Sequence, residues 1–325
     1  MNKLLTAVVV AASCLTAGGA QAQSNITSEL DASLRLGLGF TTDPEVEMTF
    51  NNYGSRLRWN GSADAGDGLK AITYLEFGFD QDRGVNNTRQ AWVGVEGDFG
   101  TLKGGKQYSA FYDAVTSAVD IAYWGSCFQE FACARRSSQL KFTSAGEGDL
   151  QFMASALLID NDADNDFIDG LDVGAKLTSG DMVIGVGATV LIGNSGAGIG
   201  FDNEPAVVDF GTGIGLGVSA SLPVGEASVS GTVQLANDNY FGGQDAGIAI
   251  TGTYAKDQMY AVVGVRSADN TPYNITLGYV KPIIDDKALT YVEVGIADSD
   301  TFGSEVDVIA RAVMIFNLDL LSTGG

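Results

Sequence analysis

Residues 26–40 alternate without a break. The even positions read Ile, Ser, Leu, Ala, Leu, Leu, Leu, Phe, and the odd positions from 27 read Thr, Glu, Asp, Ser, Arg, Gly, Gly. A period of two puts one set on an apolar face and the other on a polar face of a β-strand. Fifteen residues is long for a soluble strand and suits one that crosses a bilayer at a tilt with extensions. Similar segments recur to the end of the chain, near 52–63, 68–80, 88–98, 100–108, 135–144, 149–159, 171–179, 182–191, 210–222, 226–236, 245–255, 258–266, 273–281, 288–297 and 304–316. With the first, sixteen strands are predicted.

The connections narrow the choice of fold. Short ones fall at 64–67, 98–100, 145–148, 180–181, 223–225, 256–257 and 283–287, mostly in Gly, Asp and Pro turn chemistry. Longer ones fall at 41–51, 81–87, 109–134, 160–170, 192–209, 237–244, 267–272 and 298–303. Short and long alternate throughout, which puts both ends of the strand series on the short-turn side. A β-sandwich has no reason to alternate in this way. A transmembrane barrel does, with tight turns at one rim and long loops at the other. No stretch after the first twenty-two residues reaches the roughly 18 apolar residues of a spanning helix, and a closed barrel is the other structure that satisfies every backbone group in lipid. The expected fold is all-β, a single sixteen-stranded transmembrane antiparallel barrel.

The first residues read as an address. Lys3, the apolar run 4–17 and the Ala-Gln-Ala at 20–22 form a secretory leader with a cleavage pattern. A signal peptide over 1–22 and a barrel over 23–325 are expected, a membrane anchor being the alternative reading. Cys127 and Cys133 remain after cleavage, and a pair six residues apart in an exported chain reads as a disulfide.

The formal charge of −22 argues against a nucleic-acid partner. It suits solvated loops and a weak preference for cations, or simply solubility. The chain has no histidine. That removes the imidazole base of the common hydrolase arrangements and leaves a metal site without its usual ligand, so no enzyme and no cofactor are expected. The acidic run at 160–166 has Asp at alternate positions, but Asn165 stands where a calcium loop needs Gly, and Leu171 where it needs Glu. The glycine runs 193–200 and 211–217 lack the Lys-Ser/Thr of a phosphate loop.

A family resemblance is carried by residues 54–142. Gly-Ser-Arg-Leu-Arg-Trp-Asn-Gly at 54–61, Gly-Leu-Lys-Ala-Ile at 68–72 through Glu76, and Arg-Gln-Ala-Trp-Val-Gly at 89–94 resemble strands of the general Gram-negative porins. So do Gly-Asp-Phe-Gly-Thr-Leu at 97–102, Lys-Gln-Tyr at 106–108 with Phe-Tyr-Asp at 111–113, and the segment 135–142. The resemblance implies a sixteen-stranded, usually trimeric barrel in outer-membrane lipid. Its third loop folds inside, and ions and small hydrophilic solutes pass by diffusion. A solute-specific porin is the alternative function, and an adhesin or purely structural barrel the alternative class. Three departures stand out. The family's Pro-Glu-Phe-Gly-Gly loop motif is replaced by Tyr-Trp-Gly-Ser-Cys-Phe-Gln-Glu-Phe-Ala-Cys at 123–133, Lys106 replaces an arginine, and Phe316 in the last strand is not the final residue.

Strand parity then selects pore-lining residues. Leu57 and Trp59 take the lipid side, so Arg56 and Arg58 point inward; the reverse would cost about 2–4 kcal/mol per arginine near the midplane. Leu140 and Phe142 likewise place Arg135 and Lys141 inward, and Arg35 shares the parity of Glu29 and Asp31. Arg89 is ambiguous: Trp92 facing lipid turns it inward, Val93 and Val95 facing lipid turn it outward, and the resemblance implies inward. Lys106 shares the outward parity of Leu102. The expected constriction is a basic wall of Arg56, Arg58, Arg89 and Arg135 opposite the loop acids Asp113, Asp120 and Glu130, with the loop clipped by Cys127 and Cys133.

Overall fold

The computed structural model describes residues 26–42, 45–80, 84–127, 129–131, 133, 135–146, 148–158, 168–192, 212–237, 247–267, 271–285, 287–298 and 306–323. The expected leader, the acidic run 160–166 and the glycine run 193–200 lie outside them. Seventeen strands make one antiparallel sheet. In chain order they are β1 (Ile26–Thr41), β2 (Glu47–Asn52), β3 (Arg56–Gly66), β4 (Leu69–Asp80), β5 (Gly84–Gly97), β6 (Gly100–Tyr108), β7 (Arg135–Ser144), β8 (Leu150–Leu157) and β9 (Gly170–Ser179). There follow β10 (Met182–Leu191), β11 (Gly213–Val224), β12 (Ala227–Ala236), β13 (Gly247–Lys256), β14 (Met259–Arg266), β15 (Tyr273–Ile284), β16 (Ala288–Asp298) and β17 (Asp307–Thr323).

The sheet closes on itself. β1 pairs with β17 from Ser28 opposite Thr323 to Thr41 opposite Ile309. Its other edge pairs with β2 over residues 36–41 and with β3 over 26–33. β2 and β3 are therefore two halves of one stave, and the seventeen strands make sixteen staves. The stave is broken at residues 53–55, where Gly54 has φ 80°. The Tyr53 amide donates to the Arg35 carbonyl at 2.8 Å and the Arg35 amide to the Ser55 hydroxyl at 2.9 Å, so the break leaves β1 satisfied. The expected loop 41–51 is shorter than predicted, because 47–52 pairs with β1. The last strand is longer: it runs seven residues past Phe316, which pairs with Leu34 on one side and Ala288 on the other. Of the glycine run 211–217, residues 213–217 begin β11.

Alternation makes the barrel inside-out. Along β13, Ile250 is 47% exposed and Thr251 beside it is 2% exposed. Outward positions on the other strands carry Val, Leu and Ile in the same way, among them Leu177, Val218, Val233, Val263, Leu277 and Val294. Inward positions carry Thr189, Ser219, Thr232, Gln234 and Thr276. In water such an outer band is an aggregation liability; in lipid it is the stable arrangement.

Candidate functional site

The third long connection is filled with contacts to the inner wall. It starts with a short helix, α1 (Ala110–Ala114), capped by Ser109, whose hydroxyl accepts from the Tyr112 amide at 3.1 Å. A 3-10 turn follows over Thr116–Ala118. Each piece is held by an inward side chain. The Ser155 hydroxyl of β8 accepts from the Ala110 amide at 3.0 Å, and the Ser219 hydroxyl of β11 donates to the Ala114 carbonyl at 3.1 Å. Glu293 of β16 accepts from the Tyr123 amide at 2.7 Å and the Trp124 amide at 3.3 Å, and Asn274 of β15 donates to the Gly125 carbonyl at 2.8 Å. Phe131 then packs among Leu157, Leu191, Ala236 and Ala249. The loop thus reaches from β8 to β16.

Glycine makes the room. A Cβ on Gly185 would overlap the Ala114 carbonyl oxygen, and one on Gly295 would overlap the Trp124 ring. Cys127 and Cys133 are joined as a disulfide, with Cα atoms 6.0 Å apart, as their spacing predicted. Asp120 lies within 4.8 Å of both sulfurs, but these are bonded to each other and offer no thiolate to a metal.

Across from the loop stand the arginines. Arg89 Nε lies 2.5 Å from Glu76 Oε1, and Arg56 Nη1 lies 4.0 Å from Glu76 Oε2. The same Oε2 accepts from the Tyr74 hydroxyl at 2.9 Å. The parity conflict at Arg89 resolves in an unexpected way. Val93 and Val95 do face out, 50% and 39% exposed, and Trp92 faces in, stacked on Tyr74 with ring centroids 5.7 Å apart. Arg89 nevertheless points inward, because Glu76 pairs with Gln90 and Phe77 with Thr88, which leaves Arg89 as the extra residue of a β-bulge. Arg135 places its guanidinium 4.3 Å from the Tyr108 ring centroid. Arg58 is an inward residue of a different kind: its Nη2 sits 2.5 Å from Asp31, which neutralises it.

The three loop acids divide. Asp113 does not face the arginines: its Oδ2 lies 2.6 Å from Lys141 Nζ on β7. Asp120 accepts from the Tyr112 and Ser126 hydroxyls, each at 2.5 Å. Burial and that carboxylate hold the Tyr112 hydroxyl well above the usual phenol range. Glu130 is turned away from the lumen and is 5% exposed. It accepts from Thr232 Oγ1 at 2.7 Å and from Gln234 Nε2 on the far wall. Burial pushes its carboxyl up to about 7, against the downward pull of the Thr232 hydrogen bond. It is an anchor rather than a charge facing the basic wall.

Several residues of the site carry no clear signal in the sequence. Arg136 belongs by parity with the lipid-facing Leu140, yet it pairs inside with Asp172 at 3.1 Å, because a bulge at Ser138 (φ 53°) reverses the alternation. Arg311 lies 5.0 Å from the Tyr53 ring centroid and 5.9 Å from that of Trp124. Periodicity cannot find it, since β17 is apolar on both faces: Val313 and Ile315 pack inward against Tyr291. Arg35 stands 5.5 Å from the Tyr123 ring, which stacks in turn on Tyr291 at 4.2 Å.

Comparison with known proteins fits this geometry. A 110-residue stretch is 33% identical to the major outer membrane protein P.IA of Neisseria meningitidis serogroup B, covering 32% of this chain and 24% of that protein. Over 75 residues the chain is 35% identical to the porin-like protein H of Photobacterium profundum, covering 23% of this chain and 22% of that protein. These matches therefore span about a quarter of the curated relatives' length. Among solved structures, the anion-selective porin from Comamonas acidovorans superposes with a TM-score of 0.71 over 91% of this chain and 100% of that one, at 16% identity. OmpT, an outer membrane protein of Vibrio cholerae in its trimer form, gives 0.66 over 90% and 100%, at 18% identity. At such identities the likeness concerns the fold. The family model for Gram-negative porins matches residues 6–302, and the chain, an outer-membrane β-barrel, belongs to that family.

Proposed function

We propose that the chain forms a water-filled channel for passive diffusion of ions and small hydrophilic solutes, and that the docked loop 109–134 and the arginines opposite it set its narrowest zone. The observation that carries this reading is the loop's anchoring. Its partners are inward polar groups spread from β8 to β16, which is what a loop crossing a lumen needs. The wall on the other side carries Arg56, Arg89 and Arg135, with Arg35 beside the loop's Tyr123. A pore performs no reaction: it sets a hole size and a field, and both come from such side chains. A homotrimer and a mature chain over 23–325, released from the signal peptide 1–22, belong to the same reading.

Conductance in a planar bilayer tests it. Folded protein should give discrete steps that grow linearly with salt concentration. Folded protein without steps would refute the channel. The solute-specific alternative predicts instead that conductance saturates and that one solute blocks it.

A further inference from the structure

Near the short-turn rim, the outer face of β13, β14 and β15 carries a depression of about 420 Å³. Its walls are outward side chains, Tyr254, Leu277 and Tyr279, which are 43%, 59% and 43% exposed. Ala261 of β14 makes the space. In register it lies between Tyr254 of β13 and Leu277 of β15. Those two strands run about 10 Å apart, twice the interstrand spacing. A lone methyl group between two larger side chains leaves a slot, and the slot is apolar. Met259, on the same face of β14, stands at its rimward end between Lys256 and Tyr279.

Above the slot the groups change in a fixed order. Tyrosine comes first, at the depth where amphipathic rings gather at a membrane interface. Lys281 lies two residues beyond Tyr279 on the same outward face of β15, roughly 7 Å farther along the strand. The Val280 amide donates to the Gln258 carbonyl at 2.7 Å, which continues the β14–β15 register and sets Asp257 beside Lys281. Both are exposed. Among the described residues, the other charges of this rim are accounted for. Lys256 pairs with Glu226 at 3.1 Å, Lys287 pairs with Asp319, and Asp285 lies in the next turn, up to about 13 Å along the chain from Lys281. Lys281 and Asp257 are thus opposite charges side by side with no ion pair within 4.0 Å between them.

We propose that this face binds one phosphatidylethanolamine of the leaflet on the short-turn side. An acyl chain lies in the slot over Ala261, Lys281 takes the phosphate and Asp257 takes the primary ammonium. The order of groups along the lipid matches the order along the wall: hydrocarbon, phosphate, ammonium. A lysine serves a phosphate as a compact point charge. A glycerol headgroup leaves Asp257 facing an anion, so phosphatidylglycerol binds less well. None of these residues faces the lumen, so the site is independent of the channel reading and its failure leaves that reading untouched.

Native mass spectrometry tests the site. The folded chain, in detergent micelles with equal amounts of phosphatidylethanolamine and phosphatidylglycerol of one acyl composition, should retain one lipid, with the ethanolamine form in excess. Ala261→Leu, which fills the slot, and Lys281→Gln should each lower its retention by about five-fold, as expected for one exposed contact. Asp257→Asn should remove the preference between headgroups and keep the lipid. Val218→Leu, on the distant outer face of β11, should change nothing. Heat-modifiable migration on gels establishes that each variant is folded; if one is not, the headgroup preference of the unmodified chain decides. Equal retention of the two lipids, an excess of phosphatidylglycerol, or no retained lipid would overturn the proposal. So would retention undiminished in folded Ala261→Leu or Lys281→Gln, or a preference that survives Asp257→Asn.

Discussion

Glu293 and Arg311 face each other in register on β16 and β17, yet they form no ion pair. Glu293 Oε1 instead accepts from the Tyr123 and Trp124 amides and the Tyr260 hydroxyl. Arg311 turns to the Tyr53 and Trp124 rings. Two buried amides at the loop tip would otherwise lack acceptors, and a buried carboxylate needs several donors. The loop tip thus takes a carboxylate from its cross-strand partner, and the position of the loop is coupled to the charge facing the lumen.

Weakening that anchor should loosen the loop without opening the barrel. Glu293→Gln weakens charge-assisted bonds worth about 1.5–3 kcal/mol each. Single-channel current noise should rise while the thermal unfolding midpoint of the barrel stays near that of the parent. Gly295→Val should act alike, since its side chain meets the Trp124 ring. Quiet channels in both variants would show that the tip is held elsewhere.

Glu76 is a carboxylate set among arginines, so its neutralisation has a defined sign. Glu76→Gln should shift selectivity toward anions, by about two-fold for one partly screened charge. Arg89→Gln should shift it the opposite way by a similar factor. Equal shifts in one direction, read from reversal potentials, would mean that both act through the shape of the pore and not its charge.

Loop docking should weaken as pH rises. The docked loop binds the Glu130 proton more tightly than a free loop, because burial lifts the carboxyl from its ordinary value of 4.5 to about 7. Such a raised value gives docking its full strength below about 4.5 and removes up to about 3 kcal/mol as pH passes through 7. Asp120, the other carboxylate acting on Glu130, opposes its ionisation and adds to the same trend. Protease cleavage within 109–134 should therefore rise between these values and level off above, and Glu130→Gln should flatten the curve. Cleavage that falls with rising pH would reverse the sign and refute the assignment.

The disulfide should matter locally. Reducing Cys127–Cys133, or replacing both by Ala, removes about 2–3 kcal/mol of loop constraint by chain-entropy arithmetic. Phe131 and Glu130, which lie between the two cysteines, then lose order first. Channels should become noisier while the barrel's unfolding midpoint changes little; an unfolded barrel would assign the bridge a wider role.

Strand count, closure and the inward set were legible in the sequence wherever one face is apolar and the other polar. β6, β7 and β10 lie where alternation and turn residues put them, since lipid on one side and water on the other penalise every side chain that breaks the period. Parity also sent Arg56, Arg58 and Lys141 inward. It failed at Arg89 and Arg136, because a bulge adds one residue and reverses the faces beyond it, and nothing in a one-dimensional pattern marks the extra residue. It was silent at Arg311, whose strand packs Val313 and Ile315 against Tyr291 inside.

The local sequence by itself determined that this chain is a barrel of sixteen staves with a long, clipped third loop, because the period of two and the alternating connections are local properties of the backbone in lipid and water. Only the tertiary structure decided which of the inward charges are neutralised. That choice depends on pairings between residues far apart in the chain: Glu130 with Thr232, Asp113 with Lys141, and Glu293 with the loop tip rather than with Arg311. Neutralisation is a matter of a few ångströms between side chains, and no pattern along one strand carries that distance.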